Sequence, residues 1–277
     1  QDVSISLDRM NEIHTQKNEE NENRILCDLP EDRSLKIKNL CFKYDGTRPN
    51  YVLDNINLDI PQGKVTAIVG ASGSGKTTLV KLLLGYYALN EGVIEVGNKD
   101  LERFNLIWWR EQCGAVMQEG YLFSDTIARN IAPADSKIDL KRLRYAAQVA
   151  NIADYIEALP LGYNTLIGQD GQGVSQGQRQ RILIARAVYK NPPFIFLDEA
   201  TNALDANNER AIVENLAEFY KDKTVIVVAH RLSTVKNADQ IVVLDNGHIA
   251  ETGTHEELTQ KKGKYYELVK NQLELGN

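Results

Sequence analysis

The segment 65–85 most constrains what this chain can fold into, because patterns for a strand, a glycine-rich turn and a helix follow one another there. VTAIVG is apolar without alternation, as in a strand that is buried on both faces. GASGSGKT follows with the spacing G-x-x-x-x-G-K-[ST], and TLVKLLLG then continues as a helix. Because glycines let backbone N–H groups converge on phosphate oxygens, the segment predicts a site for the phosphates of a nucleotide.

The helix dipole, the lysine and the threonine of the phosphate loop, residues 70–77, have separate predicted roles. The following helix directs the positive end of its dipole at the phosphates. Lys76 supplies a point charge to the β- and γ-phosphates, and Thr77 can ligate Mg²⁺. The loop does not identify the fate of the nucleotide, since kinases, GTPases and motors share it. The predicted nucleotide contacts in this segment are Gly70, Ala71, Ser72, Gly73, Ser74, Gly75, Lys76, Thr77 and Thr78.

Further apolar runs predict an α/β fold around this loop. Continuous apolar strands are FIFLD, TVIVVA and QIVVLD, and a helical pattern at 206–220 separates the first two. This alternation predicts a mainly parallel sheet covered on both faces, like that of P-loop NTPases. Alternating strands at 35–42 and 56–60 predict an antiparallel β subdomain, and the helix-rich stretch at about 120–190 predicts an inserted α-helical subdomain.

Three local features make sharper predictions. A slip in the alternation of LKIKNLCF near residues 38–39 predicts a β-bulge. Asp245-Asn246-Gly247 predicts a tight hairpin turn. The helical pattern that follows the candidate N-cap Asp205 predicts one buried face. That face consists of Ile212, Leu216 and Phe219.

Two carboxylates end the apolar run FIFLDE. At the carboxyl end of a central parallel strand, Asp198 is expected to lie near the phosphate loop and to hold Mg²⁺ directly or through water. Glu199 is placed to orient or deprotonate an attacking water. The alternative is a solvated acidic strand end, and the phosphate loop earlier in the chain favours the catalytic interpretation.

Composition excludes several classes of protein. With 277 residues, 43% of them hydrophobic and 25% charged, the chain can bury a core and is not wholly disordered. A net charge of −6 argues against a protein that binds nucleic acid through its overall charge. No apolar stretch approaches the length of a membrane span. Cys27, Cys41 and Cys113 have no paired spacing and are expected to be reduced, and the histidines lack zinc-site spacing.

Residues 1–29 differ from the rest of the chain. QKNEENEN is too polar to bury a core, and SISLDRMNEI before it has Ile5, Met10 and Ile13 loosely at helical spacing. From these residues alone two interpretations stay open. The segment is either a leader or frayed helix, or the end of a helix from a preceding domain.

A second loop identifies a family. VSQGQRQR at 174–181 precedes the helical pattern ILIARAVY and resembles the signature loop of the ATP-binding cassette (ABC) family, Leu-Ser-Gly-Gly-Gln. Ser175, Gly177 and Gln178 match, whereas Val174 and Gln176 depart from that pattern. In the family this loop covers the γ-phosphate of an ATP bound by a second cassette. A serine hydroxyl, a glycine N–H and a helix N-terminus suit such an anion.

Further family positions follow in order along the chain. Tyr44 in FKYDGT resembles the aromatic that stacks on adenine. Gln118 in AVMQEG resembles the Q-loop glutamine, which contacts Mg²⁺ and water and whose loop meets the membrane domain. NALD resembles the D-loop, with Asn202 as a departure, and His230 resembles the switch histidine that contacts the γ-phosphate. The resemblance implies catalytic roles for Glu199, His230, Lys76 and Gln118, and magnesium ligation by Thr77, Gln118 and Asp198.

Other stretches resemble the exporter branch of this family. These are QEGYLFSDTIARNI, VVLDNGHIAETGTHEEL and TLIGQDGQGVSQGQ, the last with Gln169 where a glutamate is usual. SISLDRMNEI resembles the last helix and linker of an exporter's membrane domain, which favours the second interpretation of residues 1–29. Within the exporters, the chain is most similar to bacterial peptide or bacteriocin exporters with an N-terminal peptidase.

The resemblance implies an ATPase domain that drives export. We expect residues 1–33 to be a linker from a transmembrane domain of the same chain and residues 34–277 to be the ATPase domain. The implied cofactors are ATP and Mg²⁺, and the implied partner is a second ATPase domain in an ATP-dependent head-to-tail homodimer. We expect the domain to be soluble itself and to lie at the cytoplasmic face of the bacterial inner membrane. The alternatives are a soluble ABC protein acting on DNA or ribosomes, and a binding-only scaffold.

Overall fold

Strands and helices alternate along most of the chain. The computed structural model describes residues 7, 9–11, 14–15, 23–46, 50–168, 171, 173–200, 206–229 and 232–275. The strands are β1 (Leu35–Phe42), β2 (Leu53–Ile60), β3 (Val65–Val69), β4 (Glu91–Val96), β5 (Lys99–Asp100), β6 (Cys113–Val116), β7 (Asp125–Thr126), β8 (Leu166–Ile167), β9 (Phe194–Asp198), β10 (Thr224–Val228), β11 (Gln240–Asp245) and β12 (His248–Gly253). The helices are α1 (Lys76–Leu83), α2 (Leu106–Glu111), α3 (Ile127–Ile131), α4 (Leu140–Val149), α5 (Ala153–Glu157), α6 (Gln176–Lys190), α7 (Ala206–Phe219), α8 (Leu232–Val235), α9 (His255–Lys261) and α10 (Lys264–Leu275). Short 3₁₀ turns lie at Leu101–Arg103 and Gly162–Asn164.

The largest sheet is mainly parallel, which confirms the predicted fold class. Its order is β12-β11-β3-β10-β9-β6, and only the edge strand β12 is antiparallel within the described part of the sheet. The continuous apolar runs of the sequence form its central strands. The β11–β12 turn contains Asn246 with φ 48° and Gly247 with φ 81°, as the predicted hairpin requires.

Both faces of the central part of this sheet are covered, which explains why its central strands lack polar alternation. Successive residues of β3 and β9 belong to two separate core clusters. Ile68 and Phe196 pack with α1 and the antiparallel strands. Ala67 and Leu197 pack with α3, α4, α6 and α7 on the opposite face. Ile212, Leu216 and Phe219 of α7 are buried there, which confirms the predicted helix face, whereas Asp205 lies outside the described residues.

The antiparallel sheet has the order β2-β1-β4-β5. Its register shifts between Ile37 and Leu40, and Asn39 adopts φ 49°, which confirms the predicted bulge. The third sheet is the two-stranded pair β7-β8, which accompanies α3 to α6 in the stretch proposed as a helical subdomain. Long helix α6 packs against α3, α4 and β6 and so joins that stretch to the parallel sheet.

Residues before Ser34, where we predicted that the ATPase domain begins, already contact the antiparallel side of the fold. The Leu26 N–H donates to the Arg103 carbonyl at 2.9 Å, and the Asn105 N–H donates to the Leu26 carbonyl at 2.9 Å. An ion pair joins Lys99 to Asp28. Segment 26–33 therefore already packs on the domain. In the described parts of the chain, no helix combines the length and apolar character that crossing a membrane requires.

Candidate functional site

The phosphate loop connects β3 to α1 through a backbone that only glycine adopts easily. Gly70, Gly73 and Gly75 have φ values of 153°, 79° and 104°. A Cβ on Gly70 would lie 2.1 Å from the Leu244 carbonyl oxygen, and one on Gly75 would lie 2.6 Å from Leu53 Cδ2. Positive φ and close packing both restrict these positions, which explains the glycine spacing structurally.

The β11–β12 turn braces the same loop, a contact that sequence reasoning did not find. The Gly247 N–H donates to the Ser74 carbonyl at 3.2 Å, and the Asp54 N–H donates to the Gly247 carbonyl at 2.9 Å. The turn thus connects the loop to β2. The motif D-N-G revealed the turn itself, but no local pattern indicates which loop it contacts.

Lys76 lies inside the loop, where only 6% of it is exposed. Its Nζ donates to the carbonyl oxygens of Gly70 at 2.9 Å and Ala71 at 2.8 Å. Burial lowers its pKa, while the charges of Glu199 and Asp198 act in the opposite direction. The loop therefore encloses a cation on which the charges of two carboxylates act.

Asp198 ends β9 and is fully buried. Neither of its carboxylate oxygens accepts a hydrogen bond of ordinary geometry from the described residues. Burial raises its pKa, whereas the nearby Thr77 hydroxyl and then Lys76 favour the charged form. An orphaned buried carboxylate beside a hydroxyl has the donor chemistry that Mg²⁺ prefers. The described residues contain no group of three or more His, Cys, Asp or Glu side chains suited to a metal.

Glu199 follows directly and has an unusual backbone for a glutamate, with φ 54°. Its N–H donates to the Val228 carbonyl at 3.2 Å, and its own carbonyl accepts from Gln180 Nε2 at 2.8 Å. Glu199 and Gln118 line one cavity of about 660 Å³, to which the first turn of α6 contributes Gln176 and Arg179. The structure thus brings two predicted catalytic side chains and the start of the signature helix around one space.

The signature loop, residues 174–178, leads into α6. Ser175 is the N-cap, and its Oγ accepts from the Gln178 N–H at 3.2 Å. Gln178 Oε1 accepts in return from the Ser175 N–H at 2.8 Å, which completes a capping box. Ser175 is exposed, and accepting the cap bond leaves its hydroxyl hydrogen available. The Ser-x-x-Gln spacing therefore has a local structural function. Gly177 lies in the first turn of α6, where the backbone N–H groups have no partner within the helix.

Tyr44 is half-buried beside the first turn of α1. Its hydroxyl lies 3.0 Å from Thr78 Oγ1. The ring meets Phe42 and Tyr87 edge to face, at centroid distances of 5.0 and 5.2 Å. Tyr87, which is 42% exposed, is a second aromatic at this position that sequence reasoning missed.

Three of the predicted features lie outside the described residues. They are His230, the D-loop with Asn202 and Asp205, and Gln169 in the stretch before the signature loop. Their roles remain predictions from the resemblance.

A parallel sheet with a G-x-x-x-x-G-K-[ST] loop between strand and helix, beside an acidic strand end, defines the P-loop class of nucleotide-binding proteins. Comparison with known proteins narrows this class. The family model described as ABC transporter matches residues 53–202, more than half of the chain. The chain therefore belongs to the ABC transporter family, as its ATP-binding domain, which confirms the family that its motifs resemble.

Individual relatives agree with this assignment. The leukotoxin translocation ATP-binding protein LktB of Mannheimia haemolytica is 42% identical over 276 residues, which are 99% of this chain and 38% of the relative. LktB of Bibersteinia trehalosi gives the same values. A solved structure of a bacterial Atm1-family ABC exporter with ATP bound matches with a TM-score of 0.89 and 36% identity, over 97% of this chain and 47% of that one. The chain thus spans 38% of the length of these curated relatives.

Proposed function

We propose that this domain binds Mg-ATP at the phosphate loop and hydrolyses it to drive export. The observation that carries the proposal is the enclosed Lys76 ammonium, which lies at the same sheet edge as Asp198 and Glu199. Its two carbonyl partners are groups that phosphate oxygens can replace. ATP binding would therefore exchange neutral acceptors for charged ones without moving the lysine far.

The remaining side chains have complementary roles in this proposal. Thr77, Asp198 and Gln118 would hold Mg²⁺, which supplies neutralising charge to the phosphates when it is bound. Glu199 would orient or deprotonate the attacking water, and His230 would contact the γ-phosphate. Tyr44 would stack on the adenine. Catalysis would then consist mainly of positioning and charge stabilisation.

We further propose that two copies close head to tail around two ATPs. Ser175, Gly177 and the N-terminus of α6 would bind the γ-phosphate held by the other copy. The exposure of Ser175 and its position as N-cap support this assignment. Each copy carries a net charge of −6, so the two copies repel each other and closure depends on these local donors. Because ADP lacks the γ-phosphate that the donors would bind, it should not support closure.

The relatives suggest what the domain drives. LktB is named for leukotoxin translocation, so we propose a polypeptide cargo and a transmembrane domain in the same longer chain, with this domain at the cytoplasmic face of the bacterial inner membrane. The sequence encoded upstream of Gln1 tests the arrangement. Several apolar spans are expected there, and a Cys/His peptidase pattern would support the peptide branch. An upstream region without apolar spans would contradict the fused membrane domain.

Ser175→Arg tests the dimer proposal, because it places bulk at the predicted joint. In a Glu199→Gln background we expect ATP to bind each monomer while the ATP-dependent dimer disappears. Sedimentation velocity with ATP and with ADP measures this. Thr254→Arg is the matched control, since Thr254 caps α9 with the same kind of capping box and should keep the dimer. A dimer that persists in the Ser175→Arg variant would remove the signature loop from the joint.

Tyr44→Ala tests the adenine platform. We expect affinity for ATP and for ADP to fall equally, by about five- to tenfold, toward the lower end of the ~1–3 kcal/mol per base that stacking contributes. Tyr44→Phe is the control, because it keeps the ring and removes only the hydroxyl that contacts Thr78. Calorimetric titration of both nucleotides decides the matter. A loss confined to ATP would assign Tyr44 to the γ-phosphate side and not to adenine.

A further inference from the structure

The backbone of Glu199 is held in place from two directions. Its φ of 54° is one that residues with a Cβ disfavour, so the surroundings must maintain it. On one side, its N–H donates to the Val228 carbonyl of the neighbouring strand at 3.2 Å. On the other, its carbonyl accepts from the side-chain amide of Gln180 at 2.8 Å. The Glu199 side chain leaves the Cα between the two peptide groups that these bonds fix.

Gln180 belongs to the helix that begins with the signature loop. It lies in α6, five residues after the N-cap Ser175, and is only 9% exposed. A buried amide at this depth requires a partner, and the Glu199 carbonyl provides one. Neighbouring Arg181 ties the same helix to the helix-rich stretch through the Asn151 carbonyl at 2.8 Å. Gln180 thus connects a helix anchored elsewhere to the end of β9.

We propose that Gln180 is a positioning residue, which holds the Glu199 backbone and links the signature helix to the hydrolytic carboxylate. This inference rests on the proposed function of Glu199 and, for the link to the signature helix, on the proposed head-to-tail pair. In a head-to-tail pair, α6 of one copy faces the ATP of the other copy, whereas Glu199 acts on the ATP of its own copy. A shift of α6 on engaging the partner's γ-phosphate would therefore reach Glu199 through one hydrogen bond.

Gln180→Met removes the donor at similar volume. We expect kcat for ATP hydrolysis to fall about tenfold, the effect of one hydrogen bond, while Kd for Mg-ATP stays within about twofold. Gln112→Met is the matched control. Gln112 also donates its side-chain amide to a backbone carbonyl, that of Trp108 at 3.4 Å, but it does not belong to the proposed site. An unchanged kcat in Gln180→Met, or an equal fall in Gln112→Met, would overturn the inference.

A double-mutant comparison distinguishes positioning from mere structural support. If Gln180 acts through the Glu199 carboxylate, Gln180→Met should lower the residual turnover of Glu199→Gln by less than about twofold. The same loss in both backgrounds, or a fall in Mg-ATP affinity that matches the fall in kcat, contradicts the proposal. Gln180→Leu is the second variant, because its apolar side chain suits the buried site and cannot donate at any pH. It should lose at least as much turnover as Gln180→Met, and full activity in it would also contradict the proposal.

Different results would contradict the role of Glu199 and the role of Gln180. If Glu199→Gln hydrolyses ATP normally, the proposed function of Glu199 is wrong, and the positioning role of Gln180 fails with it. If Glu199→Gln loses turnover while Gln180→Met does not, only the positioning role is wrong.

Discussion

Glu199→Gln should keep Mg-ATP bound while turnover falls at least about a hundredfold, the scale on which a general base contributes. Glutamine preserves the shape of the side chain and removes its basicity. The backbone bonds to Val228 and Gln180 use main-chain groups of Glu199, so the substitution should leave them intact. Because closure would no longer end in hydrolysis, the variant should also accumulate an ATP-held dimer. Phosphate release under saturating Mg-ATP and sedimentation of the same sample measure both effects.

Glu214→Gln is the control for this loss of charge. Glu214 is exposed on α7 and pairs with Arg210 of its own helix at 3.2 Å, so its neutralisation should leave turnover unchanged. Phosphate release near the parent rate in Glu199→Gln would reject Glu199 as the base. Absence of turnover in the parent chain as well, with ATP still bound, would support the binding-only scaffold.

Much of the fold could be predicted because its decisive patterns are local. A buried strand such as β3 is recognised from its own five residues, since both faces of the sheet are covered. The Asn246-Gly247 turn and the bulge at Asn39 are likewise encoded where they occur, by residues that tolerate positive φ. The phosphate loop combines both kinds of signal, which is why its position and its following helix were predicted together.

The contacts between distant segments could not be predicted from such patterns. Nothing in the residues around Gly247 indicates that its N–H contacts Ser74, and nothing around Gln180 indicates that it holds Glu199. Both contacts arise when the sheet order brings separate loops to one edge. The left-handed backbone of Glu199 is also unexpected, because a glutamate gives no local preference for it.

The signature loop shows a different limit, since one pattern serves two purposes. Ser175 and Gln178 satisfy each other as a capping box, and this alone accounts for their spacing at a helix start. The family resemblance implies in addition that this loop contacts a γ-phosphate held by a second copy. The Ser175 side of that contact is exposed in a single copy. Only a variant that disrupts the joint, compared with a matched cap elsewhere, can separate the two purposes.

Lys76→Ala should abolish tight ATP binding. Charge-assisted hydrogen bonds contribute about 1.5–3 kcal/mol each, so losing contacts to two phosphates corresponds to about a hundredfold or more in Kd. A second effect acts in the same direction. Asp198 and Glu199 would lose the positive charge of Lys76, so their own charges would oppose the incoming phosphates more strongly. ADP affinity should fall as well, because the β-phosphate is common to both nucleotides.

Lys64→Ala is the matched control, because it also removes a lysine side chain. Lys64 precedes β3 at the end of the strand opposite the phosphate loop, and its exposed Nζ pairs with Asp239 at 3.2 Å. Its removal should change Mg-ATP affinity by less than about twofold, because an exposed pair contributes little and lies far from the loop. Calorimetric titration of both variants, with a melting curve to establish folding, compares the two lysines directly. Equal affinities for Lys76→Ala and Lys64→Ala would mean that the enclosed ammonium does not bind phosphate, and the phosphate-loop assignment would then be wrong.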